Sequence, residues 1–206
     1  MKLFKSATLI LCISLAACSS KETAEPVASV IETPKVEAAW LDKYETHLRS
    51  ALKDSRFEVS RNDAQVIVTA PVDSSFNPDR PSMLLPAVLG PITKVAKLVE
   101  NDHEAAVMLL GHGDVDDAVN RTLSRDRAGA FGAIFRMSGL KHDRLMIKGL
   151  GADAPRADNA SEQGRAQNRR IEMVLLPQRA LATLASSFEK PIETGEQLAA
   201  VSEAGK

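Results

Sequence analysis

Two oppositely charged side chains follow an apolar run in this 206-residue chain. Asp114 comes soon after the run 105–110, and Arg127 lies near the start of a predicted helix, 123–138. The amino end of a helix favours anions, because its N–H groups are free and its dipole is positive there. We therefore expect both side chains to meet at one edge of a sheet. Together they could bind a charged ligand, or they could form only an exposed ion pair worth ~0–1 kcal/mol.

Short motifs surround this pair at ordered spacing over about 70 residues. They are Gly111-His112-Gly113-Asp114, Asn120-x-x-Leu123-Ser124-x-x-Arg127-Ala128, Gly149-x-Gly151-x-x-x-Pro155, Asn159, Gly164-Arg165 and Asn168-Arg169-Arg170-Ile171-Glu172. No single motif is specific, but the ordered series resembles the OmpA C-terminal-like domain. That family is the peptidoglycan-binding module of outer-membrane protein A, peptidoglycan-associated lipoprotein and flagellar stator proteins.

The resemblance implies a ligand, the diaminopimelate stem peptide of the Gram-negative cell wall. Its side chain ends in an ammonium group beside a carboxylate. In the family, the Asp of a Gly-His-Thr-Asp motif binds the ammonium group, and the Arg of Leu-Ser-x-x-Arg-Ala binds the carboxylate. The matching residues here are Asp114 and Arg127. We therefore expect peptidoglycan as the partner.

Two departures from the family pattern weaken this expectation. Gly113 replaces the motif threonine, and the segment from Asp114 to Asn120 is two residues shorter than usual and lacks its customary glycine. Asn120 is expected to cap the following helix. The alternative hypothesis is an OmpA-like lipoprotein that no longer binds the wall. Its helix at 38–53 or its C-terminal tail would then bind an envelope protein.

Four further residues complete the predicted ligand-binding set. The resemblance places Arg170 near the ligand, although Arg169 and Arg170 could also serve only as structural ion-pair partners. Phe76 matches an aromatic residue in the first loop of the family, and it either lines the pocket or fills the core. His112 and Gly113 belong to the motif before the aspartate, where we expect the histidine to orient the loop by hydrogen bonds.

Other kinds of site find little support in the sequence. His112 and Asp114 form an H-x-D motif, but no second pair of ligands follows at metal-binding spacing. Gly149-Leu-Gly151 lacks the rest of a phosphate-binding loop. No motif supplies a nucleophile with its base, so we expect neither a metal, a cofactor nor an enzyme. A formal net charge of −1 also argues against a nucleic-acid partner.

The first residues resemble a bacterial lipoprotein signal. Lys2 and Lys5 precede an apolar segment, 7–16, which is too short to span a membrane. A Leu-Ala-Ala-Cys tetrapeptide ends at Cys18, which would carry acyl chains after residues 1–17 are removed. Removal of the two lysines lowers the basic residues from 26 to 24 against 27 acidic ones, a net charge of −3.

This signal predicts a lipid-anchored protein whose folded domain lies in the periplasm, because several buried acyl chains give stable anchoring. By resemblance to enterobacterial lipoproteins, Ser19 after the cysteine favours export to the outer membrane. The only other cysteine lies in the removed segment, so no disulfide is expected in the mature chain.

The hydrophobic periodicity predicts the elements that position the charged pair. We expect an α+β, two-layer sandwich with a β-α-β-α-β-β core and its helices on one face of a mixed sheet, which the resemblance also implies. An N-terminal helix and a hairpin strand precede this core. The predicted parts are a signal peptide at 1–17, a flexible tether at 18–37, the helix and strand at 38–64, the OmpA-like domain at 65–177 and a C-terminal extension at 178–206.

Overall fold

A computed structural model describes residues 36–187. The predicted signal peptide, the lipidation site Cys18, nearly all of the tether and the end of the C-terminal extension lie outside the described residues. Within 36–187, no helix combines the length and the apolar character needed to cross a membrane.

The described chain contains both helices and strands, and two strands (Phe76–Asn77 and Arg80–Leu84) and one helix (Glu162–Asn168) were not expected from the sequence. The elements are α1 (Ala38–Leu52), β1 (Glu58–Arg61), β2 (Val66–Pro71), a 3-10 turn (Val72–Ser74), β3 (Phe76–Asn77), β4 (Arg80–Leu84), α2 (Pro86–Glu100), β5 (Ala105–His112), α3 (Ala118–Met137), a second 3-10 turn (His142–Arg144), β6 (Leu145–Gly151), α4 (Glu162–Asn168), β7 (Arg170–Pro177) and α5 (Gln178–Ser187). The β-α-β-α-β-β core is confirmed and runs from β2 through α2, β5, α3 and β6 to β7.

Five strands form one mixed sheet in the order β1-β2-β7-β5-β6. Strands β5 and β6 are parallel, and the other neighbouring pairs are antiparallel. The register aligns Val68, Met173 and Leu109 across the three central strands, and all three are fully buried. β3 and β4 form a separate two-stranded sheet.

Helices cover both faces of the main sheet. On the first face, α1, α2 and α3 pack against alternate residues of β2, β5 and β7 in one large core. On the second face, Ala180 and Leu181 of α5 pack against Met108 and Val174. The expected helical layer is therefore present, and α5 adds a partial cover on the other side. This double cover explains why every residue of β5 is buried.

The apolar stripe of helix α1 is buried inside the domain. Leu41, Tyr44, Leu48 and Leu52 are all buried in the same core as α2 and α3. Tyr44 donates a hydrogen bond to Asp102 at 2.9 Å, and burial raises the pKa of its hydroxyl far above the ordinary value. Because the fold occupies this stripe, α1 does not offer it to an envelope partner.

Helix α3 begins earlier than the sequence predicts. Asp117 caps it by accepting hydrogen bonds from the Asn120 backbone at 2.7 Å and from its side-chain amide at 2.8 Å. The expectation of a cap at Asn120 is thus corrected. Both residue types are good caps, and the apolar residue at position 123 marks the second turn of the helix rather than its start.

Glycines allow α3 to approach the sheet closely at the site. A Cβ atom at Gly111 would lie 1.9 Å from the carbonyl oxygen of Ser124, and one at Gly149 would lie 2.6 Å from the backbone nitrogen of Arg125. Ser124 also accepts a hydrogen bond from the backbone of Gly151 at 3.1 Å. These contacts fix the first half of α3, and therefore Arg127, relative to the ends of β5 and β6.

Candidate functional site

Asp114 lies just beyond β5, with its side chain 13% exposed, and accepts a hydrogen bond from Arg169 at 2.8 Å. Arg169 immediately precedes β7. Its guanidinium also bonds both carboxylate oxygens of Asp73, at 3.0 and 2.8 Å, and contacts Glu162 at 3.1 Å. We call these four residues the Arg169 cluster. Hydrogen bonds to Asp73 first, and then to the other two carboxylates, raise the pKa of Arg169 far above its ordinary value.

Arg127 is held beside this cluster by uncharged groups. Its Nε donates to the Pro81 carbonyl oxygen at 2.7 Å, and its guanidinium carbon lies 5.5 Å from the centre of the Phe76 ring. Burial lowers the pKa of Arg127, while the charges of Asp73 and Asp114 act to raise it. Within 36–187, no carboxylate forms an ion pair with Arg127, so its terminal nitrogens remain available to an anion.

Phe76 fills the core, which is one of the two roles that the sequence left open. It is 3% exposed, and its ring lies 5.9 Å from that of Phe131 in the first-face core. The same ring supports Arg127. Phe76 therefore links the packing of the core to the position of a candidate ligand-binding cation.

His112 and Arg170 lie away from this arrangement, on the second face of the sheet. Arg170 donates to Glu172 at 2.7 Å, and Nε2 of His112 lies 3.4 Å from the other oxygen of that carboxylate. Burial acts to raise the pKa of Glu172, but the contacts with His112 and Arg170 outweigh it, and the pKa falls to about 2. No hydrogen bond or ion pair in the described chain joins this group to Asp114 or Arg127.

Gly113, between His112 and Asp114 in the chain, is buried but leaves room for a Cβ atom. Its backbone nitrogen donates to the carbonyl oxygen of Gly151 at 2.8 Å. A Cβ atom at this position would find its nearest neighbours 3.8 and 3.9 Å away, at Gly151 and Asn120. Backbone crowding therefore does not explain why this chain has a glycine where the family motif has a threonine.

The loop after Asp114 exposes apolar as well as charged side chains. Val115 is 47% exposed and Val119 is 75% exposed, while the side chain of Asp116 is 79% exposed. Arg121, on the first turns of α3, binds both oxygens of Asp153 at 2.6 and 2.8 Å. This ion pair links α3 to the segment after β6, so the helix that follows the exposed loop is held in place.

Three residues of the Arg169 cluster were absent from the predicted set. Successive side chains along a strand point to opposite faces, so Arg169 and Arg170 point to opposite sides of the sheet. The apolar Ile171 marks the side of the helical core, and Arg169 shares that side. This pattern could have identified Arg169. Nothing local identifies Asp73 or Glu162. Asp73 lies 96 residues before Arg169, in a turn without a recognisable motif.

The chemistry of the site is that of charge recognition. It brings together carboxylates, guanidinium groups and one aromatic ring. In the described part of the chain, no group of three His, Cys, Asp or Glu side chains is placed to hold a metal ion. These groups are complementary in charge to a molecule that carries both an ammonium group and a carboxylate.

Comparison with known proteins identifies the family. The OmpA family profile matches residues 75–169. The outer-membrane lipoprotein YfiB of Pseudomonas aeruginosa is 30% identical over 128 residues, which are 61% of this chain and 74% of that protein. The chain therefore belongs to the OmpA family.

Two further relatives match over different lengths. The protein YiaD of Escherichia coli is 29% identical over 140 residues, which are 67% of this chain and 64% of YiaD. The chain thus covers slightly less than two thirds of that relative. The peptidoglycan-binding protein ArfA of Mycobacterium tuberculosis is 33% identical over 94 residues, 45% of this chain and 29% of ArfA. These relatives carry the names of envelope proteins, and none is named as an enzyme.

Solved structures share the fold. A MotB-like protein from Desulfovibrio vulgaris superposes with a TM-score of 0.60 at 23% identity, over 68% of this chain and 94% of that one. The cell wall anchor of the T6SS from Pseudomonas aeruginosa gives a TM-score of 0.56 at 23% identity, over 64% and 95%. The mixed α+β architecture is therefore that of OmpA-like and MotB-like domains.

Proposed function

We propose that this chain binds peptidoglycan noncovalently through the diaminopimelate side chain of a stem peptide. Asp114 accepts hydrogen bonds from the ammonium group, and Arg127 binds the carboxylate. The observation that carries the proposal is the environment of Arg127. Its guanidinium is held by the Pro81 carbonyl and the Phe76 ring, has no carboxylate partner in the described chain, and experiences the charge of Asp114.

The charges around the site suit a zwitterion. Arg169 occupies one oxygen of Asp114, Oδ2, and the other oxygen remains for the ligand's ammonium group. Asp73 and Glu162 add negative charge around Arg169, which strengthens the attraction for a cation. Arg127 supplies the positive charge that the ligand's carboxylate requires, with the planar geometry that favours two parallel hydrogen bonds.

Relatives support this proposal in part. ArfA is named as a peptidoglycan-binding protein, and the T6SS neighbour is described as a cell wall anchor. The proposal for this chain adds membrane attachment through lipid on Cys18, with residues 18–37 as a tether across the gap. Anchoring at one end raises the effective concentration at the wall, so a weak individual site is sufficient.

The test is co-sedimentation of the chain from residue 19 onward with purified peptidoglycan. Asp114→Ala and Arg127→Ala should each abolish sedimentation while the circular dichroism spectrum stays unchanged. Asp116→Ala and Arg125→Ala are matched controls, because they remove the same charges from exposed positions two residues away. Normal sedimentation of both site variants would reject the proposal.

A second candidate is an OmpA-like envelope protein that binds a protein partner and not the wall. Two observations favour it: the Asp114 carboxylate already has a partner in Arg169, and Val115 and Val119 are exposed beside it. NMR spectra with added diaminopimelate separate the candidates. Shifts around Asp114 support wall binding. Their absence, together with a captured protein that is lost in a Val115→Ser, Val119→Ser variant, supports the second candidate.

A further inference from the structure

A cleft lies at the end of the main sheet opposite to Asp114. Glu104 precedes β5 and Gln178 follows β7, whereas Asp114 follows β5 and Arg169 precedes β7. The eight residues of β5 therefore separate the cleft from Asp114 by about 26 Å. We call it the Trp40 cleft, and its lining includes Glu37, Trp40, His103, Glu104, Gln178 and Arg179.

The Trp40 cleft is small. Its volume is about 270 Å³, slightly below the ~300 Å³ at which sites for drug-sized molecules begin. It therefore suits a compact polar group and not a folded partner. The proposed diaminopimelate site uses none of the residues that line it.

Both signs of charge line the cleft without internal partners. Glu37 and Glu104 supply carboxylates, and Arg179 supplies a guanidinium. All three side chains are exposed, and none forms an ion pair within residues 36–187. Arg61 and Arg121, by contrast, are exposed but paired with carboxylates. A ligand that carries one cation and one anion can thus use charges that the fold leaves unpaired.

The amino ends of two helices border the cleft and favour an anion there. Glu37 precedes α1, but its side chain does not cap the helix. Arg179 is the second residue of α5. The first turn of neither helix contains an acidic residue. The free N–H groups and positive dipoles of these ends, together with the guanidinium, attract a phosphate group.

Trp40 forms the aromatic wall of the cleft. Its ring stacks on that of Tyr44, with the ring centroids 4.1 Å apart. An indole face attracts an ammonium group, and the carboxylates of Glu37 and Glu104 belong to the same lining. The indole nitrogen is buried and has no hydrogen-bond partner in the described chain. Such donors are uncommon, and a ligand that brings an acceptor satisfies this one.

We propose that the Trp40 cleft binds the phosphoethanolamine headgroup of a membrane lipid. The phosphate contacts Arg179 and the two helix ends, and the ammonium group contacts Glu104 and the face of Trp40. This inference uses the proposed lipid anchor but not the proposed contact with the wall.

The place where the chain enters the domain favours a lipid over a free phosphate ester. Val36 lines the cleft, and residues 19–35 alone separate it from the proposed anchor at Cys18. Eighteen residues span at most about 60 Å, so the cleft stays within that distance of the lipid-bearing residue. A single headgroup binds weakly, because the charged groups are exposed. The anchor offsets this by raising the effective concentration of lipid.

The fluorescence of Trp40 tests the inference directly, because the chain has one tryptophan. The full chain in micelles of an uncharged detergent is titrated with three soluble probes. They are glycerophosphoethanolamine, glycerol 3-phosphate, which lacks the ammonium group, and β-alanine, which lacks the phosphate. We expect a saturable change with glycerophosphoethanolamine, at an affinity at least fivefold higher than for either other probe.

Two variants remove one charge from each end of the cleft. Glu104→Gln and Arg179→Gln should each weaken glycerophosphoethanolamine binding at least fivefold. Both should bind a diaminopimelate-containing stem tetrapeptide as the unmodified chain does. Asp126→Asn and Arg125→Gln are matched controls, since they remove charges of the same signs from exposed positions on α3. The controls should bind both probes normally.

Nanodiscs distinguish a lipid from a free headgroup. The lipidated chain is placed in discs of phosphatidylethanolamine or of phosphatidylglycerol. We expect the Trp40 emission to differ between the two lipids, and this difference to vanish in Arg179→Gln. Identical emission in both discs overturns the lipid assignment. Equal affinities for the three soluble probes, or normal titrations of both cleft variants, overturn the site itself. The proposed function fails differently, through unaltered tetrapeptide affinity in Asp114→Ala.

Discussion

Arg169 donates a hydrogen bond to Asp114 across 2.8 Å, although 55 positions separate the two residues in the chain. The contact joins the end of β5 to the segment that enters β7. Through Asp73 and Glu162, the same guanidinium also joins the turn after β2 and the first turn of α4. The candidate ligand-binding carboxylate is thus held by a cation on which three parts of the chain converge.

We expect Arg169 to hold Asp114 in the position that binds the ligand. Arg169→Ala leaves three carboxylates close together without their shared cation. It should lower the free energy of unfolding by about 1–3 kcal/mol, the usual cost of unmatched partly buried polar groups, and abolish peptidoglycan sedimentation. Urea denaturation and sedimentation measure the two effects. Arg169→Lys should recover stability more than binding, since an ammonium group has three donors, whereas the guanidinium makes four hydrogen bonds to the three carboxylates.

A normal sedimentation result for Arg169→Ala would show that Asp114 needs no support from this cluster. Arg125→Ala provides the control, because Arg125 is exposed on α3 and lies outside the cluster. Its stability and its sedimentation should match those of the unmodified chain.

The guanidinium geometry of Arg127 is expected to matter more than its charge. Arg127→Lys keeps a cation but removes the hydrogen bond from Nε to Pro81 and the paired donors for a carboxylate. Affinity for the diaminopimelate tetrapeptide should fall at least tenfold, or ~1.4 kcal/mol, as measured by calorimetry. Arg125→Lys is the matched substitution. Equal affinity of both variants would mean that the site senses charge alone.

Threonine at position 113 should fit the loop and improve binding. A Cβ atom there meets nothing closer than 3.8 Å, and the backbone does not adopt a left-handed conformation. Gly113→Thr should therefore keep or raise the free energy of unfolding, by up to ~1 kcal/mol, because the unfolded chain loses freedom. The restored hydroxyl should increase tetrapeptide affinity.

Gly111 is a crowded position that contrasts with Gly113. A Cβ atom at Gly111 would lie 1.9 Å from the Ser124 carbonyl oxygen, so Gly111→Ala must push α3 away from β5. We expect a loss of roughly 1–3 kcal/mol from overpacking. If Gly113→Thr destabilises the chain as much as Gly111→Ala does, the space around Gly113 is not available.

Acid should weaken the fold through Glu172. The contacts with His112 and Arg170 hold its pKa at about 2, below the ordinary value of about 4.3. The folded state therefore favours the charged carboxylate. This contribution is complete above the ordinary pKa and is lost as the pH falls from about 5 to 2.

Urea unfolding at a series of pH values checks this dependence. Glu172→Gln should be less stable than the unmodified chain at pH 7, by on the order of 1–2 kcal/mol after allowance for solvent screening. The difference should shrink towards pH 2. A constant difference across this range would mean that the carboxylate's charge contributes nothing and that the substitution acts through packing.

Local patterns predicted most of the fold because each element buries one side. The period of the apolar residues marks α1, and the unbroken apolar run marks β5 as a strand covered on both faces. The start of α3 was misplaced because two good capping residues, Asp117 and Asn120, lie within one turn of each other. Only the packed chain shows which of them accepts the hydrogen bonds.

By itself, the sequence determined the family, the order of the elements and the two charged residues of the motif, since these depend on residue type and short-range spacing. Tertiary structure decided which charges meet. It paired Asp114 with Arg169 and set Arg170 against Glu172 on the other face. Such contacts depend on strand register and on the packing of segments up to 96 residues apart, and no local pattern carries that information.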